Sequence, residues 1–218
     1  SGQSGQVKNT KKLRKRTGKG WTEERKIPMA KENLSIQIEY EKKEGGVVLK
    51  KLHGRCAELH VPAKIDGLPV IAVAERAFAA EKEAPPAEIG EEKEASLSFV
   101  TEPPAETAEG QALRRVFLPD TIAEIGAFAF SGCAALERVH LPERLTAVSK
   151  RMFDGCGALQ EISLPRAVRS IGDYAFYGCE RLKELRLPES VESIGRYAFY
   201  NCRRMEKINI PLAARELN

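Results

Sequence analysis

The stretch that decides the fold lies at residues 182–202 and reads LKELRLPESVESIGRYAFYNC. Within it, Leu185-Arg186-Leu187 alternates apolar and polar residues, which is typical of a strand with one buried side. Pro188 ends the strand, because proline has no N–H group for a sheet hydrogen bond. Further on, Gly195 permits a backbone bend, and residues 197–199 suit one short helical or 3₁₀ turn. The stretch therefore predicts a strand, a bend and an outer turn.

The same pattern recurs every 23 residues, and a fixed period of this length is typical of stacked-repeat proteins. Four columns keep this step in register along the chain. They are Leu113, Leu136, Leu159, Leu182 and Met205; Pro119, Pro142, Pro165, Pro188 and Pro211; Phe130, Phe153, Phe176 and Phe199; and Cys133, Cys156, Cys179 and Cys202. One such unit cannot bury its own apolar face, so neighbouring units must stack strand beside strand.

The repeat resembles the BspA-type leucine-rich repeat of bacterial surface proteins, with L-x-x-V-x-L-P followed by S-I-G-x-Y-A-F-Y-G-C. Residues 167–202 match this motif most closely, and residues 58–73 resemble the family's first repeat with its I-D-G-x-P-V insertion. The resemblance covers roughly residues 45–212. It implies a leucine-rich-repeat solenoid, a right-handed coil with parallel strands on its concave face and short helical or 3₁₀ turns outside. Residues 148–153 depart from the motif because they contain no glycine, which predicts a less regular outer turn in that repeat.

The remaining segments are assigned from their composition. We expect a basic, disordered tail at residues 1–33, an N-terminal β-hairpin cap at 34–56 and the solenoid, with about 5.5 repeats, at 57–218. Residues 79–111 interrupt the period with two Pro-Pro pairs and nine Glu against two Lys. This composition favours a solvated loop. The last strand edge of such a stack is open to pairing, which allows end-to-end or edge self-association.

Charge is unevenly distributed along the chain. Residues 1–31 carry ten Lys or Arg against two Glu, whereas the rest carries 25 Lys or Arg against 29 Asp or Glu, and the whole chain has a net charge of +4. The basic run at residues 8–19 suggests an alternative function, an intracellular protein bound to nucleic acid or another anionic polymer. The apolar runs are too short for a membrane-spanning helix. We expect a protein at the cell surface or secreted if a leader precedes this sequence, and a cytoplasmic protein otherwise.

The residues that carry chemistry in enzymes are not grouped in this sequence. Stacked strands lie about 4.8 Å apart, which keeps the Cβ atoms of the cysteine column beyond the usual disulfide separation of about 3.5–4.5 Å. The column therefore predicts buried free thiols. His53, His60 and His140 lie far apart, and the chain has no C-x-x-C pair and no hydrolase or metalloprotease motif. We expect no enzyme activity, no metal and no cofactor.

The strand alternation predicts a binding face. When the apolar residues of the strand at residues 113–118 point inward, Arg115 and Phe117 point outward. Repeating this pair by 23 adds Arg138 and His140, Glu161 and Ser163, Glu184 and Arg186, and Lys207 and Asn209. These side chains would form two columns across five strands, with Phe117, Arg115, Arg138 and His140 as the anchor cluster.

Three functions follow from these patterns. The first is a non-catalytic scaffold that binds a protein or a glycan through the concave strand face, at a bacterial surface as the resemblance implies, with nucleic acid not expected as its partner. The second is the tail-bound protein described above. The third is a structural spacer within a longer chain. A solvated sheet surface, with Phe117 covered by residues 79–111, is the alternative to a binding face.

Overall fold

The computed structural model describes residues 36–80 and 113–214 in full, together with the backbone of residues 12–17, 20–28 and 216–217. These residues form strands and turns, without a helix among them. The strands are β1 Lys12–Thr17, β2 Gly20–Pro28, β3 Gln37–Lys43, β4 Gly46–His53, β5 Glu58–His60, β6 Lys64–Ile65, β7 Leu68–Val73, β8 Arg115–Phe117, β9 Glu124–Ile125, β10 Arg138–His140, β11 Ala147–Val148, β12 Glu161–Ile162, β13 Ser170–Ile171, β14 Glu184–Arg186, β15 Ser193–Ile194, β16 Lys207–Asn209 and β17 Glu216–Leu217.

Two ladders of short parallel strands run along the stack. The first ladder consists of β5, β8, β10 and β12 in parallel pairing, followed by β14 paired with β16. The second contains β7 paired with β9, and then β11, β13, β15 and β17. The register follows the repeat, so that Val116 lies beside Val139. The predicted solenoid of parallel strands is confirmed.

The apolar columns fill the interior of the coil. Phe130, Phe153 and Phe176 are fully buried, and their rings stack with centroids 5.4 and 5.3 Å apart. Phe78 of the first repeat continues this stack at 5.1 Å from Phe130. The inward strand residues are buried as well, from Val116 to Leu187. The predicted core columns are therefore confirmed for the repeats between Leu113 and Leu187.

The outer side of each coil differs from the prediction of helical or 3₁₀ turns, because the described residues there form hydrogen-bonded turns. Phe128 and Gly132 adopt left-handed conformations, with φ of 58° and 76°, which interrupt any helix. The amides of Phe128 and Phe130 instead donate to the carbonyls of Lys150 and Met152, each at 3.0 Å. Hydrogen bonds to the next coil thus satisfy main-chain amides that, in a helix, would bond within the same segment.

The glycine of the repeat allows a close approach between coils. Gly172 and Gly195 have no positive φ, but a Cβ atom on Gly172 would lie 2.6 Å from the amide nitrogen of Lys150. In the third repeat Ser149 takes this position, and its hydroxyl donates to the carbonyl of Ile125. Within the described residues the second ladder is interrupted here, between β9 and β11. The outer turn of this repeat is nevertheless regular, since Arg151 and Gly155 have φ of 53° and 74° where Tyr174 and Gly178 of the next repeat have 56° and 69°. The predicted less regular turn is therefore wrong, and the interruption is confined to the ladder.

The N-terminal hairpin consists of β3 and β4, which are antiparallel and joined at residues 44–45. Strand β4 pairs in parallel with β7, which continues the second ladder toward the N-terminus. That the hairpin acts as a cap stays a prediction. The structure differs from the expected disordered tail in that β1 and β2 pair with each other and β2 pairs with β3. Without β2, the edge of β3 would leave main-chain N–H and C=O groups without hydrogen bonds, and pairing with β2 satisfies them. Residues 81–112, most of the predicted loop, lie outside the described residues.

Candidate binding face

The outward residues of the first ladder form the two columns that the alternation predicts. All eight residues proposed for the face are exposed and lie on strands of this ladder or directly beside them. They are Arg115, Phe117, Arg138, His140, Glu161, Glu184, Arg186 and Lys207. The register sets Arg115 beside Arg138, and Phe117 beside His140. The structure therefore brings together residues that are 23 positions apart in the chain.

Two residues of the same face were missed by the sequence analysis. Strand β5 pairs in parallel with β8, which sets Glu58 beside Arg115 and His60 beside Phe117. The signal for this extension is the run L-x-V-P at residues 59–62, which matches V-x-L-P in the next repeat. With β5 included, the columns cross six strands and span about 24 Å.

An aromatic pair lies at the N-terminal end of the face. The His60 and Phe117 rings are stacked, with centroids 4.4 Å apart and planes 8° apart. Below them, Glu58 contacts His60 Nε2 at 2.7 Å and Arg115 Nη2 at 3.2 Å. The hydrogen bond with His60, together with the Arg115 charge, lowers the pKa of the Glu58 carboxyl. These contacts hold Phe117 in place with 37% of its surface exposed.

The C-terminal part of the face is polar. Glu184 Oε1 lies 3.4 Å from Lys207 Nζ, and the Asn209 carboxamide both donates to and accepts from the main chain of Leu187 at 2.9 Å. The first ladder is interrupted within the described residues between β12 and β14, where the carboxylates of Glu161 and Glu184 follow each other.

A groove of about 980 Å³ runs across this face from Arg115 to Glu206. It is lined by residues of β8, β10 and β12 and by residues that precede β14 and β16, such as Arg181 and Arg204. The predicted anchor cluster of Arg115, Phe117, Arg138 and His140 lines one end of it. The face is therefore concave in shape and charged in character.

A second exposed cluster lies on the outer turns of the fourth and fifth repeats. Tyr174 stacks on Tyr197 at 5.2 Å between centroids, and Tyr177 stacks on Tyr200 at 5.5 Å. The Arg151 guanidinium lies 4.4 Å from the Tyr174 ring centroid, in cation–π contact. Tyr197 and Tyr200 are both more than half exposed. This tyrosine cluster is the other surface of the described chain on which aromatic rings face solvent.

The cysteines take no part in either surface. All five are free thiols; within the predicted column Cys133, Cys156 and Cys179 are buried as expected, whereas Cys202 is half-buried. The Sγ–H groups of Cys133 and Cys156 donate to the carbonyls of Phe78 and Phe130 at 3.1 and 3.2 Å. Burial raises the pKa of Cys133 to about 12 and that of Cys156 well above its usual value. Thiols held in their protonated form are poor nucleophiles and poor metal ligands. Among the described residues, no three His, Cys, Asp or Glu side chains are grouped as a metal site.

The chain belongs to the BspA-type leucine-rich repeat family. The family model for the BspA type leucine rich repeat region matches residues 106–218 with six copies. This match includes every strand of the binding face except β5, so the repeat pattern, the fold and the family agree.

Solved structures of bacterial leucine-rich repeat proteins are similar to the chain. A leucine-rich repeat protein of T. pallidum is 29% identical with a TM-score of 0.65, and the match covers 80% of this chain and 69% of that one. A leucine-rich cell surface protein of Faecalibacterium prausnitzii is 26% identical with a TM-score of 0.60 over 79% of this chain. A leucine-rich repeat protein of Bacteroides ovatus is 25% identical with a TM-score of 0.62 over 85% of this chain. The chain spans 37% and 42% of the latter two proteins.

No characterised protein sequence matches the chain significantly. Within the described residues, no helix has the length and apolar character needed to span a membrane.

Proposed function

We propose that this chain is a non-catalytic binding scaffold whose ligand lies across the strand face, from Glu58 and His60 on β5 to Lys207 on β16. The observation that carries the proposal is the pair of exposed columns on six strands, in register from β5 to β12 and again between β14 and β16, with a groove lined by their side chains. A stack of this kind offers an extended rigid surface, and rigid surfaces bind without a large ordering cost.

The setting that fits this function is a bacterial cell surface. A similar solved structure is described as a leucine-rich cell surface protein, and family members of this repeat type share the same architecture. We extend that location to this chain as part of the proposal. A fractionation experiment with the native gene product tests it, since recovery in the cytoplasmic fraction alone would contradict the surface assignment.

The experiment that tests the binding face is a capture of surface extracts on immobilised chain. The variant Phe117→Ala/Arg138→Glu removes the aromatic anchor and reverses one charge on the face. We expect it to lose the ligands that the unchanged chain retains, because hot-spot residues carry most of the binding energy. The matched control is Tyr200→Ala/Arg144→Glu, which makes the same chemical change at two exposed residues outside the groove.

The outcome that contradicts the proposal is an unchanged set of captured ligands with the face variant. If the control variant loses the ligands instead, the tyrosine cluster around Tyr174 and Tyr197 is the binding surface. Circular dichroism and thermal unfolding of both variants show that any loss comes from the surface and not from the fold.

A further inference from the structure

The groove on the strand face is lined by more positive than negative side chains. Six cationic residues line it, and three carboxylates accompany them. They are Arg115, Arg138, Arg181, Lys183, Arg186 and Arg204, with Glu161, Glu184 and Glu206. The chain after residue 31 carries more acidic than basic residues in total. The groove therefore has a positive net charge, although the residues after 31 together have a negative net charge.

Most of this positive charge is not neutralised by the protein. Arg115 pairs with Glu58, and Glu184 pairs with Lys207, which lies at the edge of the face. In the part of the chain that the structure describes, the other five cationic residues make no ion pair within 4 Å. They are Arg138, Arg181, Lys183, Arg186 and Arg204, and all five are exposed. Arginine guanidinium groups in this arrangement bind carboxylate or sulfate groups through paired hydrogen bonds.

The groove contains few exposed large hydrophobic side chains. Among the large hydrophobic side chains that the described structure exposes, Phe117 alone lines the groove, and it lies at one end, stacked on His60. Hot-spot residues of protein interfaces cluster near the centre of the interface, whereas the exposed Phe117 ring lies at one end of this face. A cationic groove with hydroxyl and imidazole groups, here Ser163 and His140, and one aromatic edge suits a sugar chain that carries acidic groups.

We propose that the ligand of the strand face is an acidic polysaccharide, whose carboxylate or sulfate groups bind Arg138 and Arg186 and whose sugar rings pack beside Phe117. This inference rests on the proposed function and names the chemical class of its ligand. Arg138 lies in one column and Arg186 in the other, two coils further along, or about 10 Å in the direction of stacking. Arg181 and Arg204 line the same groove ahead of β14 and β16, so an extended chain along the groove meets several unpaired guanidinium groups.

Calorimetric titration of the full chain tests the inference with three probes: a polyuronate, a sulfated polysaccharide and neutral dextran. We expect one or both acidic probes to bind and dextran not to bind, with affinity falling as salt increases. In Arg138→Glu/Arg186→Glu the affinity should fall about tenfold or more, because two charge-assisted hydrogen bonds are lost. The control Arg144→Glu/Arg196→Glu makes the same change in net charge outside the groove and should stay within about twofold of the unchanged chain.

The basic N-terminal segment requires its own control, because it would bind any polyanion. In Lys12→Gln/Arg14→Gln/Arg16→Gln we expect the binding that depends on Arg138 and Arg186 to persist. Loss of all binding in this variant, or equal losses in the groove and control variants, would overturn the inference. Tighter, groove-dependent binding of poly-glutamate or of single-stranded DNA would also overturn it, in favour of another class of macromolecule.

The titration separates this inference from the proposed function. If no acidic polysaccharide binds while Phe117→Ala/Arg138→Glu still loses captured ligands, the ligand class is wrong and the binding face stands. If neither experiment responds to changes on the strand face, both proposals fail.

Discussion

The phenylalanine of the repeat has different surroundings in the middle coils and in the last coil of the solenoid. Phe176 has a stacked ring on both sides, at 5.3 Å from Phe153 and 5.7 Å from Phe199, and is fully buried. Phe199 occupies the same position one coil later, has a ring on one side within the described residues, and is half-buried. The difference teaches that the contribution of a repeat position comes from its neighbours, as nearest-neighbour models of stacked repeats require.

The largest expected effect of this difference is at the phenylalanine stack. Phe176→Ala should lower the free energy of unfolding by about 3–5 kcal/mol, because it leaves a cavity between two rings. Phe199→Ala should cost clearly less, since its ring is already partly exposed. Urea unfolding of both variants measures the two losses. Equal losses would break the comparison and argue against a linear stack.

A second, smaller effect is expected where main chains of neighbouring coils approach each other. A Cβ atom on Gly172 would lie 2.6 Å from the Lys150 amide nitrogen, whereas a Cβ atom on Gly157 meets no atom within 4 Å. Gly172→Ala should therefore destabilise the chain by about 1–3 kcal/mol through overpacking. Gly157→Ala is the matched control and should not be destabilising. A neutral Gly172→Ala in thermal unfolding would show that the coils are not closely stacked there.

The thiols should make the stability of the chain depend on pH. Burial raises the pKa of Cys133 to about 12 and that of half-buried Cys202 to about 11, from an ordinary value of 9.0. The folded chain holds these protons more tightly than the unfolded chain, so this stability is fully present below pH 9 and is lost as pH rises. The loss should extend to about pH 11 for Cys202 and to about pH 12 for Cys133.

Unfolding free energies between pH 8 and 10 check this expectation with Cys133→Ala. At pH 10 each shifted thiol should account for about 1 kcal/mol of the loss, so the variant should lose less stability with pH than the unchanged chain. An identical pH dependence would mean that the thiol is not buried in the folded chain.

The smallest effect is expected at Ile210, which is 52% exposed, whereas Leu164 at the same repeat position is 7% exposed. Leu164→Ala should cost about 2–5 kcal/mol, and Ile210→Ala should cost less than about 1 kcal/mol. Denaturant unfolding of both variants sharpens the comparison, because the two side chains are similar in size and differ in burial. A loss at Ile210 as large as that at Leu164 would contradict the exposed position of Ile210.

The sequence alone determined the solenoid, its buried columns and the outward columns of the strand face. The reason is that every repeat has the same apolar positions, such as Val116 and Leu185, 23 residues or a multiple of 23 apart. Each coil therefore buries the same side chains and exposes the same neighbours. The free thiols followed in the same way, since the spacing of stacked strands already excludes a disulfide between neighbours.

Features that depend on the adjoining coil were visible only in the folded chain. The left-handed conformation of Phe128 and the turns in place of helices arise because main-chain amides bond across coils, which no property of one repeat shows. The same holds for Ser149, whose hydroxyl bonds to the preceding coil where the second ladder is interrupted. Glu58 and His60 join the face because β5 pairs with β8 more than fifty residues further along the chain. The L-x-V-P run at residues 59–62 marks β5 as a strand of the stack, but the interrupted period leaves its partner strand to be seen only in the fold.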